Sequence, residues 1–179
     1  MPSCAYKLRN GAEPLPGDVK RIQIPLFKNE SREAGAEIYY TNALKQEALR
    51  SRTAHVENNE ADADAVLQGT ITSIEVIADE SVADSRISTD RPYLPDGSVL
   101  ALLYKVTAVI DLVLKKRGSN VVLWSGNFKQ TKNFPAAQIT LPVINTSNSL
   151  YNQSAKRQTL DALSKEMMQA AFDRMLEKF

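Results

Sequence analysis

The sequence predicts a single α+β domain in which two helices pack on one face of a four-stranded mixed sheet, in the order β-α-β-β-β-α. Three observations carry that expectation. Residues 102–114 show an unbroken even-numbered apolar row: Leu102, Tyr104, Val106, Ala108, Ile110, Leu112 and Leu114. Such strict alternation marks a strand with one dry and one wet face. Residues 153–178 carry a broad helical stripe of Leu160, Leu163, Met167, Ala170 and Ala171, widened by Met168, Phe172, Met175, Leu176 and Phe179, as a helix lying flat on a sheet requires. Between Ala36 and Arg52 no Gly or Pro interrupts a second stripe, Tyr40, Ala43, Leu44 and Ala48.

The remaining elements follow in order. In VKRIQIPLF, residues 19–27, Ile22, Ile24 and Leu26 alternate with polar or small neighbours, so this is the first strand. Pro25 lacks an N–H and places that strand's end, or a sheet edge, there. KNESREAGAE is a turn into the first helix, and SRTAHVENNEADAD after that helix is a polar connection. Residues 63–78, ADAVLQGTITSIEVIA, are rich in β-branched side chains, but their apolar phase switches from Leu67 and Ile71 to Ile74 and Val76. A bulge near Ser73 accounts for the switch. Arg117-Gly118-Ser119-Asn120 is a tight turn into a return strand over residues 121–131, with Val122, Trp124 and Phe128 on one face. Residues 79–99 form a long, polar connection, expected to be mobile or to await a partner, and residues 132–151 form a second loop. The first strand–helix–strand crossover should be parallel and right-handed.

At 179 residues the chain can bury a sizeable core without disulfides or metals. Its 24% charged residues and net charge of +1 give no global attraction to nucleic acid. The longest apolar run, residues 99–104, is far too short to span a bilayer as a helix. One cysteine makes no internal disulfide, and one cysteine with one histidine makes no zinc cluster. His55, the single imidazole, sits in a polar connection and reads as a surface residue. Asp62 and Asp64 read as solvated residues at a strand start, Asp111 as a cross-strand partner, and Trp124 as core packing. Seven glycines include no phosphate-binding loop. No catalytic residue, metal or cofactor is therefore expected. The sequons at Asn29, Asn145 and Asn152 are of the kind that arise by chance in polar segments.

Cys4 is the anomaly. A lone cysteine usually behaves as a small buried hydrophobe, but this one precedes Lys7, Arg9, Asn10, Gly11, Pro14, Pro16 and Gly17, a setting poor for burial. Cations cluster at Lys115, Lys116 and Arg117, at the tip of the predicted hairpin, where they either solubilise the turn or face anionic head groups.

Cys4 followed by Ala5-Tyr6-Lys7-Leu8-Arg9 resembles the C-G-Y-x-L-R start of the LptE family of lipopolysaccharide-assembly lipoproteins. The likeness continues through Leu15-Pro16, through VKRIQIPLFKNESREAGAE with its strand, F-x-N, polar turn and helix, and through ADAVLQGTI, residues 63–71. Tyr104-Lys105-Val106, Val122-Leu123-Trp124-Ser125-Gly126 and a terminal helix ending in Phe179 complete it. By this resemblance residues 1–18 are a lipidated tether and lead-in, and residues 19–179 are the LptE-like domain. Cys4 would be the lipid-modified first residue of the mature protein, its acyl chains in the inner leaflet of the outer membrane, on the periplasmic face. Ser3 suits the position before a lipoprotein cleavage site, whereas Pro2 and the missing apolar leader suggest a chain trimmed at its mature start. The resemblance also implies a non-catalytic plug within the LptD β-barrel that helps deliver lipopolysaccharide. Ala5 departs from the family's glycine, and residues 79–99 exceed the turn common in relatives. Two alternatives stand beside it. One is a periplasmic lipoprotein of the peptidoglycan-synthase-activator or secretion-pore type; the other is a cytosolic adaptor with a free thiol.

The element order also assigns ends. The Lys115-Lys116-Arg117 turn should share an end with the amino terminus, facing the anchoring leaflet. Lys28, Arg32, Arg86, Arg91, Lys129 and Lys132 should gather at or near the far end. A lipid with phosphorylated sugars needs several charge-assisted contacts in one place, so Arg86, Arg91, Lys129 and Lys132 are the candidate lipopolysaccharide contacts.

Overall fold

The fold is that of a computed structural model, which describes residues 14–83, 99–136 and 149–177. Its elements are β1 (Arg21–Gln23), β2 (Lys28–Asn29), α1 (Ala36–Ser51), β3 (His55–Glu57), β4 (Ala65–Ala83), β5 (Val99–Lys116), β6 (Val122–Pro135) and α2 (Ser149–Leu176), with a 3₁₀ turn at Glu60–Asp62. The sheet is mixed, ordered β3-β1-β4-β5-β6, and β2 also pairs with β4. β1 is parallel to β3 and β4, and β2 is parallel to β4, while β4–β5 and β5–β6 are antiparallel.

The α+β architecture and the parallel crossover are as expected, but six strands replace four. Both extra strands have a physical origin. β2 forms at Lys28–Asn29, in the segment expected to be a turn, where it pairs with β4, and the first predicted strand ends ahead of Pro25. Pro25 offers no N–H, and the next inward amide, that of Phe27, leaves the ladder to donate to Thr41 Oγ1 at 3.0 Å. β3 lies in the segment expected to be a polar connection. Its only apolar residue, Val56, gives no alternation to read, and the strand exists because β1 pairs with it. The long connections are also shorter than expected, since β4 runs on to Ala83, β6 to Pro135, and α2 begins at Ser149. Residues 84–98 lie outside the described residues.

The core sits between the two helices and one face of the sheet. Val106, Ala108, Ile110, Leu112 and Leu114 of the even row are buried, and their register partners share that face. On β4 the helix face is odd-numbered at Leu67, Gly69 and Ile71. The register shift between Ile71 and Ser73 moves it to Ile74, Val76 and Ala78, so the expected bulge is present and Thr72 is the extra residue. From α2, Leu160, Leu163, Met167, Met168, Ala171, Phe172 and Met175 enter the core, whereas Ala170 of the expected stripe is exposed. The helices do not cover the whole face. Leu102 and Val76 are each 37% exposed at the end where β4 leaves and β6 finishes.

Two glycines mark close approaches. A Cβ on Gly69 would stand 2.3 Å from the Phe27 ring, so the ring lies directly on the β4 backbone. That ring stacks on Tyr40 at 6.5 Å, and the buried Tyr40 hydroxyl donates to Met167 Sδ at 3.7 Å. Burial pushes the Tyr40 hydroxyl well above its ordinary pKa, so it stays neutral. Gly126 lies between Trp124 and Phe128 on the same face, and a Cβ there would approach both rings to 2.8 Å. Trp124 is therefore a packing residue, half-buried, with its ring 6.2 Å from Phe128. Val122, expected beside it, is 51% exposed, because the register shift between Leu114 and Lys115 pairs it with Lys115 of the odd row, away from the helix face.

Ile110 and Phe172 are 0% and 1% exposed in the same core. Truncating either to alanine should lower stability by roughly 2–5 kcal/mol. Chemical denaturation of each variant measures this, and a loss below about 1 kcal/mol would contradict the packing described.

Candidate functional site

Among the described residues no group of His, Cys, Asp and Glu is placed to hold a metal ion, and the candidate site is a surface with two parts. The first is the end of the sheet at which the chain enters. Leu15 and Val19 bridge each other and are buried, with the Asp18 amide donating to the Leu15 carbonyl at 3.0 Å. Gly17 packs against Leu123, just beyond the β5–β6 turn. The Arg117 amide donates to the Asp64 carbonyl at 3.0 Å, and its guanidinium donates to the Ala61 carbonyl. Asp64 accepts from both the guanidinium of Arg21 at 2.7 Å and its amide at 3.0 Å. The turn, the 3₁₀ segment and the start of β1 are thus one hydrogen-bonded unit.

This separates the three cations of the basic turn. Arg117 is engaged in holding the turn to the β3–β4 connection. Lys115 and Lys116 form no ion pair among the described residues, and with Glu60, Gln68, Ser119 and Asn120 they border a cleft of about 440 Å³. Two unpaired ammonium groups beside the incoming chain could meet an anionic surface without breaking an existing pair.

The second part is the sheet face opposite the helices. Asp111 on β5 accepts from Thr72 Oγ1 of β4 at 2.8 Å and from Asn127 Nδ2 of β6 at 2.7 Å. One carboxylate thereby ties three strands, which is the cross-strand role expected of Asp111. Asp79 repeats the arrangement, accepting from Lys105 Nζ and from Asn133 Nδ2, the latter at 3.1 Å. Thr107 and Thr131 hydroxyls join at 3.1 Å between the two clamps. Asp79 and Asn133 carry no sequence motif, and only their alternation with the apolar row could have placed them on this face.

The expected gathering of cations at the far end is not what the strand order produces. Phe128 pairs with Ile110, so even-numbered β6 residues face the helices and odd-numbered ones face away. Lys129 is exposed on the open face. Lys132 is on the helix side, paired with Glu166 of α2, which also accepts from Gln130 Nε2 at 3.2 Å. Lys28 pairs with Glu30 at 2.7 Å on β2, on the far side of β4 from β5 and β6, and Arg32 follows it there. Parity and strand order therefore keep these four cations in three places. Cys4, Arg86 and Arg91 lie outside the described residues. His55 is an exposed residue of β3, opposite Arg21.

Two carboxylates are held below their ordinary pKa. For Asp64 the leading cause is the Arg21 guanidinium, with the Arg21 amide adding to it. For Glu37 it is the residue's own amide at the start of α1, followed by the Asn29 side chain, 2.8 Å away. A depressed folded-state value means stability present above the unfolded value of about 4 and lost as pH falls through the folded one. The melting temperature should therefore decline below about pH 4, and Asp64→Asn should flatten that decline while costing little at pH 7, since exposed pairs are weak. A parallel acid limb in the variant would show that the pair is not coupled to folding.

Comparison with known proteins bears on this surface. The sequence profile of the LptE lipopolysaccharide-assembly family matches residues 19–179. Comparison with curated proteins returns no match. The fold is similar to that of a PelC dodecamer from Paraburkholderia phytofirmans, at TM-score 0.53 and 11% identity, covering 94% of this chain and 96% of that one. It is also similar to a lipoprotein structure from Caulobacter crescentus, at TM-score 0.50 and 7% identity, covering 84% and 88%. At such identities these two structures show a shared fold. The family match spans every described strand and both described helices, and the chain belongs to the LptE lipopolysaccharide-assembly family.

Proposed function

We propose that the chain is a non-catalytic lipoprotein of lipopolysaccharide assembly. Cys4 anchors it to the outer membrane on the periplasmic side, and it acts as a plug or partner of an LptD-like β-barrel. The observation that carries the reading is the pairing of an LptE match over residues 19–179 with a sheet that is dry on one face and polar on the other. The interior of an outer-membrane barrel is polar. A sheet face made of Asp79, Lys105, Thr107, Asp111, Asn127, Thr131 and Asn133 offers that wall hydrogen-bonding groups without exposing the core. The free ammonium groups of Lys115 and Lys116 stand beside the incoming chain, so a thiol acylated at Cys4 would bring them toward anionic head groups.

Lipopolysaccharide is engaged at the other end in this reading, by Arg86, Arg91, Lys129 and Lys132. Because Lys129 and Lys132 face opposite sides of β6, they would serve different phosphates, and Lys132 would exchange Glu166 for the ligand. Reversing Arg91 and Lys132 to glutamate together should weaken lipopolysaccharide binding at least about tenfold. Circular dichroism should stay unchanged. Abolition of binding by reversing Lys115 and Lys116 instead, with the far-end pair silent, would place the ligand at the wrong end.

Replacing Cys4 by serine should release the chain from membranes while leaving the melting temperature of the soluble form within about 1 °C, since its polar, Pro- and Gly-rich sequence setting is poor for burial. A loss of several degrees would mean that the thiol packs. Co-purification of the lipidated chain with a large outer-membrane barrel tests the partnership, and its failure under mild detergent would remove the plug reading.

A further inference from the structure

The sheet's edges are not equally protected. β3 is only three residues long, and β6 carries Lys129, Lys132 and Pro135 along its outer side. Short edge strands, lysines and prolines are the usual means of blunting an edge. β4 has none of these past Ile71. Its outer ladder is filled first by β1 at Ala65 and Val66, then by β2 at Thr70 and Ile71, and ends where the Glu30 amide donates to the Ile71 carbonyl at 2.9 Å. From there the chain turns away toward α1. Over residues 72–83 the described structure places no strand on that side.

Within this edge, residues 73–78 are the regular part. They pair without a break to β5, from Ser73 with Val109 to Ala78 with Tyr104, between register shifts at either end. Ile74, Val76 and Ala78 lie on the helix face, and Glu75, Ile77 and Asp79 on the open face. Val76 and Ile77 are both exposed apolar side chains, at 37% and 54%. A cavity of about 550 Å³ lies along the edge, lined by Ser31, Arg32, Thr72, Ile74, Val76 and Ile77 among others. Residues 72–83 include Glu75, Asp79 and Glu80 and no lysine or arginine.

We infer that the edge of β4 over residues 73–78 is a docking site for an extended segment of another protein, which adds a strand in line with β2. The chemistry of that segment follows from the two faces. Small or β-branched residues on its helix-side face would cover Ile74 and Val76, and basic residues on the other face would lie against Glu75. Main-chain hydrogen bonds give such strand addition its affinity, and alternate side chains its selectivity. A second copy of this chain is the poorer occupant, because edge-to-edge pairing would bring the Glu75 carboxylates of two copies together without a cation to answer them, Lys105 being engaged by Asp79. The site is independent of the lipopolysaccharide reading, since none of its residues is among the cations assigned there.

The test uses the full chain, isotope-labelled, with an alternating valine–lysine decapeptide as probe. At saturation, amide exchange over residues 73–78 should slow at least about tenfold, with no comparable change on β6. Ile77→Lys, which puts a gatekeeping charge on an exposed position, should weaken the peptide at least about tenfold, while Ile77→Thr, which keeps β-branching, should stay within about twofold. A peptide of equal charge with two central prolines should not bind. Equal binding by the proline peptide, protection outside residues 73–78, or protection appearing on concentrating the chain alone would each overturn the proposal, the last in favour of self-pairing.

Discussion

Everything in the layered packing depends on the Phe27 ring resting against the backbone of β4 at Gly69. The contact fixes the distance between the first crossover and the central strands. It is possible only because Gly69 has no side chain, which would otherwise lie 2.3 Å from the ring. It is affordable to the backbone because the Phe27 amide, removed from the ladder by the bend at Pro25, finds Thr41 Oγ1 at 3.0 Å. Thr41 in turn donates to the Glu37 carbonyl at 2.6 Å, so no buried donor is stranded. Tyr40 stacks on the same ring and reaches Met167 of α2. One aromatic side chain thus joins sheet, first helix and last helix.

The residues that follow it convert this packing into a turn. Asn29 Oδ1 accepts from the amide and hydroxyl of Ser31, and Asn29 Nδ2 donates to the Glu33 carbonyl and to Glu37, both at 2.8 Å. A side chain that satisfies both its acceptor and its donor locally favours a compact turn over a longer strand. That explains why β2 is only two residues long. In this chain Phe27-Lys28-Asn29 is therefore a folding device: the aromatic sets the depth of the crossover and the asparagine its exit. The same early exit leaves the rest of β4 without an outer neighbour.

The two sheet faces are held by different forces. The helix face relies on apolar burial around Ile110, Leu112, Leu163 and Phe172. The open face relies on carboxylate clamps: Asp111 on β5 reaches one residue on the strand to either side, and Asp79 on β4 reaches Lys105 on β5 and Asn133 beyond it on β6. Such a surface remains solvated until a partner supplies matching groups, as a plug in a polar barrel would require. Lys132 and Glu166 do the equivalent at the helix–sheet rim, where they tie α2 to β6.

The sequence by itself determined the elements with long periodicity and the family. The even row of β5, the broad stripe of α2 and the phase switch at Ser73 were all legible, because burial of one face writes its period directly into residue choice. Asp111 was legible as a cross-strand partner for the same reason, and the motifs at Phe27-Lys28-Asn29 and Leu123-Trp124-Ser125-Gly126 carried the LptE resemblance. Only the tertiary structure decided the rest. β2 and β3 depend on the strands they pair with, which leaves no local pattern. The grouping of cations was likewise undecidable along the chain. Lys129 and Lys132 are three residues apart, and in a strand an odd separation puts side chains on opposite faces. Lys28 and Lys132 are parted by strand order, which is set by how a whole sheet assembles and not by any segment alone.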